Sequence, residues 1–323
     1  MTLNALNWKL TGAFAALYLI WGSTFLAIRF ALETLPPFTM AGARFVVAGM
    51  MLYGWARLRG AASPAPRHWP PALLIGVLLL LLGNGGVVWA EQSLSSGMTA
   101  LLIATEPLFL VLLGWLRPGG RRPSWTVAGG LMLGFFGTSL LFAPWSPPGM
   151  SGFNWLGAAS VMLASVAWAA GSLYALRAEQ PRSPILSTGM QMLCGGAWLL
   201  LAGSLTGEWK TIDLAHASLR SWLGVSYLLV FGSLIGFNAY VWLLKTTTPA
   251  RASTYAYVNP VVAVFLGWLL GDEVVTARML LAMGVIIAAV VLIISRQGEA
   301  APQALLQPEA PQAGIEDGLC ASK

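Results

Sequence analysis

The residues of this chain best placed to do chemistry are acids and amides set inside apolar runs. Glu106-Pro107 lies about halfway along the apolar stretch from residue 97 to 116. An ionised carboxylate at the centre of a membrane span costs on the order of ~3 kcal/mol. Glu106 must therefore face a cavity, pair with a base or carry a proton. Pro107 has no amide N–H and frees the carbonyl of Ile103. An acid and a loose carbonyl then share one face, as a ligand or proton site inside a membrane requires. The plain alternative is a neutral Glu106 that bonds a neighbouring helix and serves packing alone. Intramembrane acids are functional by default, which favours the first reading.

This stretch has an echo. At a constant offset of 153, Gly83, Val88, Trp89, Pro107, Val111 and Leu113 to Leu116 fall on Gly236, Val241, Trp242, Pro260, Val264 and Leu266 to Leu269. Glu106 falls on Asn259, whose amide can bond a substrate or simply tie two helices together. At an offset of 147, Trp21 falls on Trp168. Both lie mid-span, away from the interfacial belt where Trp gathers. They are candidates for an aromatic wall facing an apolar or cationic substrate, with packing against glycine as the alternative. Tyr255 and Tyr257 point to different faces, so one can line a cavity while the other packs; Tyr257 is the candidate for lining. Asn84 and Glu91 are seven apart on one helix face, as are Asn238 and Lys245. Asn84 and Asn238 join the candidate binding set with Gln191. Glu91 and Lys245 are candidate gating residues at opposite ends, with interfacial anchoring as the alternative. Arg29 and Arg44 read as snorkelling or structural residues, with Glu33 one turn from Arg29.

Catalysis finds no parts here. His68 and His216 fall in loops on opposite sides, and Asp213, Asp272 and Asp317 lie outside the apolar runs. Cys194 and Cys320 offer neither a disulfide framework nor a metal site. An enzyme is not expected, nor any cofactor or metal. No phosphate-cradling loop for ATP is present, and no run of carbonyl-rich turns suggests a channel filter.

The elements that must position these residues follow from composition. The chain is 57% hydrophobic and 9% charged over 323 residues, against about 25% charged in soluble proteins. That predicts an all-α polytopic membrane protein. Ten spans are expected at about 10–32, 38–58, 70–92, 97–116, 124–143, 154–176, 186–206, 218–243, 251–271 and 276–296, each near the ~20 residues a bilayer requires. With the N-terminus in the cytoplasm, thirteen of the 18 Lys and Arg fall inside and only Lys210, Arg220 and Arg278 outside, so both termini are expected to be cytoplasmic. The repeats are expected at 7–145 and 153–296, five spans each. Five is odd, so the second half lies inverted relative to the first, an arrangement common in secondary transporters. Residues 297–323, rich in Ala, Pro, Gln and Glu, read as a disordered cytoplasmic tail.

Several motifs look familiar together. Ile20 to Thr24 (IWGST), Ala43-Arg44-Phe45 and the proline-bearing fourth and ninth spans resemble the EamA repeats of the drug/metabolite transporter superfamily. Gly83-Asn84-Gly85, Ala90-Glu91, Phe231-Gly232-Ser233, Asn238-Ala239-Tyr240 and Ser253 to Val264 resemble its YedA-type branch. The likeness covers residues 7 to about 296. It implies a carrier of the bacterial inner membrane that exports amino acids, metabolites or small drug-like compounds. The expected partners are a small-molecule substrate, the lipid bilayer and, through Glu106, protons. Nucleic acid is not expected, and monomer and homodimer both stay open. The family often has a Gly-Glu pair after both the fourth and ninth spans; Gly271-Asp272-Glu273 keeps the second, while Gly119-Gly120-Arg121 lacks the first acid. If Glu91 guards an entrance, Glu91→Lys alters uptake or export in a transport assay; unchanged transport of every tested substrate discards the role.

Overall fold

The computed structural model describes residues 3–117, 122, 124–142, 154–247, 252 and 255–297. Among them the chain is helical and has no strand. A backbone that satisfies its own polar groups is what an apolar surrounding demands.

Helix α1 (Leu3–Ala16) continues through a π-helical turn, Leu17–Trp21, into α2 (Gly22–Ala31). Helix α3 covers Pro37–Leu58. Helix α4 (Trp69–Ile75) runs through a second π segment, Gly76–Asn84, into α5 (Gly85–Ala90). Helices α6 (Ser96–Ile103) and α7 (Glu106–Leu116) are separated by a break at Ala104-Thr105, and α8 is Trp125–Phe142. Then follow α9 (Trp155–Ala175), α10 (Pro184–Leu205) and α11 (Leu219–Tyr227), which passes through a third π segment, Leu228–Phe237, into α12 (Asn238–Thr246). The last two are α13 (Tyr255–Leu270) and α14 (Ala277–Gln297). Six runs are long and apolar enough to cross a membrane: Trp8–Ala31, Pro66–Ala90, Ser96–Leu116, Trp155–Ala175, Pro184–Leu205 and Leu219–Thr246. Shorter apolar helices lie at Trp125–Gly137, Val258–Leu270 and Ala277–Ala289. Apart from Gln297, the expected tail lies outside the described residues.

The helix starts have local causes. Ser95, Asn154, Ser183 and Ser218 accept backbone N–H groups at the first turns of α6, α9, α10 and α11, as capping residues do. Two more starts are capped from far along the chain. Glu208 accepts the N–H groups of Phe38 (3.1 Å) and Thr39 (2.7 Å) at the head of α3. Glu273 accepts those of Ser96 (2.7 Å) and Gly97 (3.0 Å) at the head of α6. Each places an acid where a helix presents its partial positive charge.

Glu273 also receives Arg29 at 2.7 Å, while Glu33 pairs with Arg220 at 2.9 Å. Arg29 thus has an Arg–Glu pair, but its partner is 244 residues away and not the Glu33 beside it in sequence. The opposite helix ends are tied through Gln180, whose Oε1 accepts from Ser187 (2.7 Å) and Lys245 (3.5 Å), and through Arg67–Glu179 at 2.7 Å.

The most extensive packing joins α3 to α10. A methyl added at Gly42 or Gly49 would come within 2.8 Å of the backbone nitrogen of Leu200 or Leu193. At Gly189 and Gly196 it would meet the nitrogens of Tyr53 (2.7 Å) and Val46 (2.8 Å). Four glycines at a spacing of seven thus let two backbones touch, as small residues do at membrane helix contacts. Gly196→Ala should lose about 1–3 kcal/mol through overpacking, seen as a lowered melting temperature in detergent. Gly114→Ala, with nothing within 4 Å, should be neutral or slightly stabilising; equal effects would overturn the contact.

Candidate functional site

A cavity of about 100 Å³ lies between the two halves of the chain. Trp21, Arg44, Asn84 and Glu106 line it from the first half, and Ser165, Trp168, Ser233, Tyr255 and Asn259 from the second. The irregular backbone gathers here. Trp21 ends the first π segment, Asn84 ends the second, and Ser233 sits within the third. A π turn widens the helix by one residue and often marks a functional site. The second and third segments are repeat mates, since Gly76 to Asn84 fall on Leu229 to Phe237 at the offset of 153.

Glu106 is the first residue of α7, directly after the break at Ala104-Thr105. It is 2% exposed. The Tyr255 hydroxyl donates to its Oε2 at 2.7 Å, and its Oε1 has no hydrogen-bond partner. The two halves are not alike at this point. Pro107 accompanies a break between α6 and α7, whereas Pro260 sits inside the unbroken α13. Asn259, with its amide nitrogen toward the carbonyls of Tyr255 (3.1 Å) and Tyr18 (3.2 Å), donates to both. It ties α13 to the first helix run while lining the cavity.

The aromatic floor is shared. Trp21 and Trp168 meet edge to face, with ring centres 5.6 Å apart. Trp21 also packs on Tyr240 (5.2 Å) and on Tyr255 (5.0 Å). Ser172 donates its only hydroxyl proton to the Trp168 carbonyl at 2.7 Å, so the Tyr240 hydroxyl, 2.5 Å away, is the donor to Ser172. The Trp21 indole N–H donates to the Gly232 carbonyl at 3.3 Å, while that of Trp168 is buried without a bonded acceptor. Each indole rests on a glycine of the opposite half. A methyl at Gly83 would meet the Trp168 ring at 2.9 Å, and one at Gly236 would run into the Trp21 indole nitrogen. Trp21 and Trp168 are repeat mates, and so are Gly83 and Gly236, so the seats are exchanged crosswise.

Arg44 is 4% exposed, and its Nη2 donates to Asn84 Oδ1 at 2.8 Å. Its Nε has no partner, and its guanidinium lies over the Phe45 ring at 4.2 Å. The site thus combines one acid, one base, several idle polar atoms and an aromatic surface. It can hold a small amphipathic molecule by charge and ring contacts.

The family model for EamA-like transporters matches residues 10–143 and again 155–295. The chain belongs to the EamA-like transporter family. It is 43% identical over 286 residues to the inner membrane transporter YedA of Escherichia coli (strain K12), covering 88% of this chain and 90% of that one. It is 25% identical over 276 residues to the S-adenosylmethionine/S-adenosylhomocysteine transporter of Chlamydia trachomatis, covering 82% and 83%. A protein of known crystal structure, 20% identical, shares the fold with a TM-score of 0.63 over 90% of this chain and 98% of that one. With its apolar helical runs, this EamA-like protein is a multi-pass protein of the inner membrane.

Of the candidate binding and gating residues, Glu106, Asn259, Trp21, Trp168 and Asn84 come together at the cavity. Asn238, Gln191, Lys245 and Glu91 stand elsewhere. Asn238 donates to the Leu234 carbonyl of its own helix run at 2.7 Å. Gln191 is buried in the network at the helix ends, donating to Ser187 at 3.1 Å. Lys245 stands at that same end, exposed. Glu91 is buried at the opposite end, with both carboxylate oxygens unbonded, beside a surface recess that Arg29 and Glu33 also line. The Tyr257 side chain lies outside the described residues. Tyr255 lines the cavity, and its place one turn before Asn259 on the same helix face was the signal for it. Arg44 enters the site although its position near a span end suggested snorkelling. Ser165 carried no signal, and Ser233 stood out only as part of the Phe231-Gly232-Ser233 motif.

Gly236→Ala should displace Trp21 and weaken substrate binding about tenfold, a strain of ~1.4 kcal/mol. Gly83→Ala should do the same through Trp168. Half-saturation of exchange in proteoliposomes measures this, and unchanged values in both variants would refute the crosswise seats.

Proposed function

We propose that this protein is a secondary carrier that exports amino acids, metabolites or small drug-like compounds across the inner membrane. The observation that carries this is the cavity itself. It is built from both repeats, holds opposite charges with idle donors and acceptors, and lies between two sets of helix ends joined by a few polar bonds. Such bonds can break at one end while they hold at the other, which is what alternating access needs.

In this reading, α3, α8, α13 and α14 join the six long apolar runs to make ten spans, in two inverted halves with both termini in the cytoplasm. The exchanged Trp–Gly seats support a two-fold relation between the halves. The Lys and Arg distribution puts the Arg29–Glu273 pair outside and the Gln180 network inside. Transport draws on a gradient, because the sequence has no ATP-cradling loop, and Glu106 is the residue that couples to protons. The substrates named for the Chlamydia relative carry an amino-acid group, which suits a cavity with both an acid and a base. The protein works as a monomer or homodimer and performs no catalysis.

Counterflow in proteoliposomes tests the proposal: exchange of labelled for unlabelled substrate marks a carrier, whereas unsaturable flux marks a channel. Glu106→Gln should slow exchange about ten- to a hundredfold, the loss of one charged hydrogen bond worth ~1.5–3 kcal/mol. A variant that exchanges as fast as the parent with the same pH dependence would make Glu106 structural.

A further inference from the structure

Among the described residues, Arg44 is the one cation lining the cavity. A charged Arg within a membrane span is costly, up to about 2.5–3.5 kcal/mol at the span's centre on insertion scales, unless it reaches water or finds a partner. Arg44 does neither within the chain. It is 4% exposed, so it does not snorkel, and it makes no ion pair among the described residues. Its bonded partner, the Asn84 amide oxygen, is neutral. That bond and the Phe45 ring beneath the guanidinium fix the plane of the fork without cancelling its charge. A guanidinium has five N–H donors, and Nε is idle here. The acid in the cavity, Glu106, takes its hydrogen bond from Tyr255 instead.

We propose that Arg44 docks a carboxylate of the substrate; this rests on the carrier reading of the cavity. The planar fork matches a carboxylate in two parallel bonds. A phosphate ester would bring about two negative charges into a cavity that already holds Glu106, whereas a carboxylate brings one. The repeat bears on this too. At the offset of 147 Arg44 falls on Gln191, and Glu106 falls on Asn259. Both charged groups thus belong to the first half and their mates are neutral. A substrate with a carboxylate at Arg44 and a donor or cation toward Glu106 satisfies both in one orientation.

The test uses purified full-length protein and acid–amide pairs of equal shape: L-leucine with L-leucinamide, L-threonine with L-threoninamide, and L-phenylalanine with L-phenylalaninamide. Thermal unfolding reads binding, and counterflow reads transport. At least one acid should bind about tenfold more tightly than its amide. Arg44→Gln should abolish that preference, and Arg44→Lys should keep part of it. Should Arg44→Gln fail to fold, Asn84→Asp serves: it gives Arg44 an internal counter-charge and should erase the preference while the protein stays folded. Equal response to acid and amide in every pair, no response to any acid, or a preference that survives Asn84→Asp would each overturn the proposal. Acid-selective binding without counterflow would uphold Arg44 and defeat the carrier reading instead.

Discussion

An unpartnered backbone amide or carbonyl in an apolar surrounding costs several kcal/mol, and the structure depends on this constraint. It explains why the described chain is helical throughout. It also gives meaning to the places where the helices depart from regular form. Among the described residues, each of the three π segments brings at least one residue to the cavity, and Glu106 lines it directly after the break at Ala104-Thr105. The same departures bring Trp21, Asn84, Glu106 and Ser233 to face one another.

The two halves share a steric frame and differ in charge. Trp21 and Trp168 seat on Gly236 and Gly83 in a crosswise exchange, so the ring positions follow the repeat. Arg44 and Glu106 answer to Gln191 and Asn259, so the charges do not. The break at Ala104-Thr105 against the unbroken α13 adds a conformational difference to the chemical one. The walls of the cavity therefore follow the repeat in shape and differ between the halves in charge.

Buried acids also hold the helix ends. Glu208 and Glu273 each cap a helix from more than 160 residues away. A carboxylate bonded to two backbone N–H groups at a helix start is well placed energetically. Such a clamp draws together elements that sequence neighbours could not join.

The sequence by itself determined the class, the helical character of the chain and the repeat. A bilayer-length apolar run, a proline pair and an exact spacing of 153 are local facts, and local physics reads them. It also made Glu106, Asn259 and the two tryptophans stand out, because a polar group or an indole in mid-span is conspicuous against an apolar background. Only the tertiary structure decided which of these meet. It put Arg29 with Glu273 in place of Glu33, turned Tyr255 toward Glu106, and sent Asn238 and Gln191 elsewhere. The reason is physical. A side chain's role in a helix bundle depends on the rotation of its helix about its own axis. Close glycine contacts with helices distant in the chain constrain that rotation.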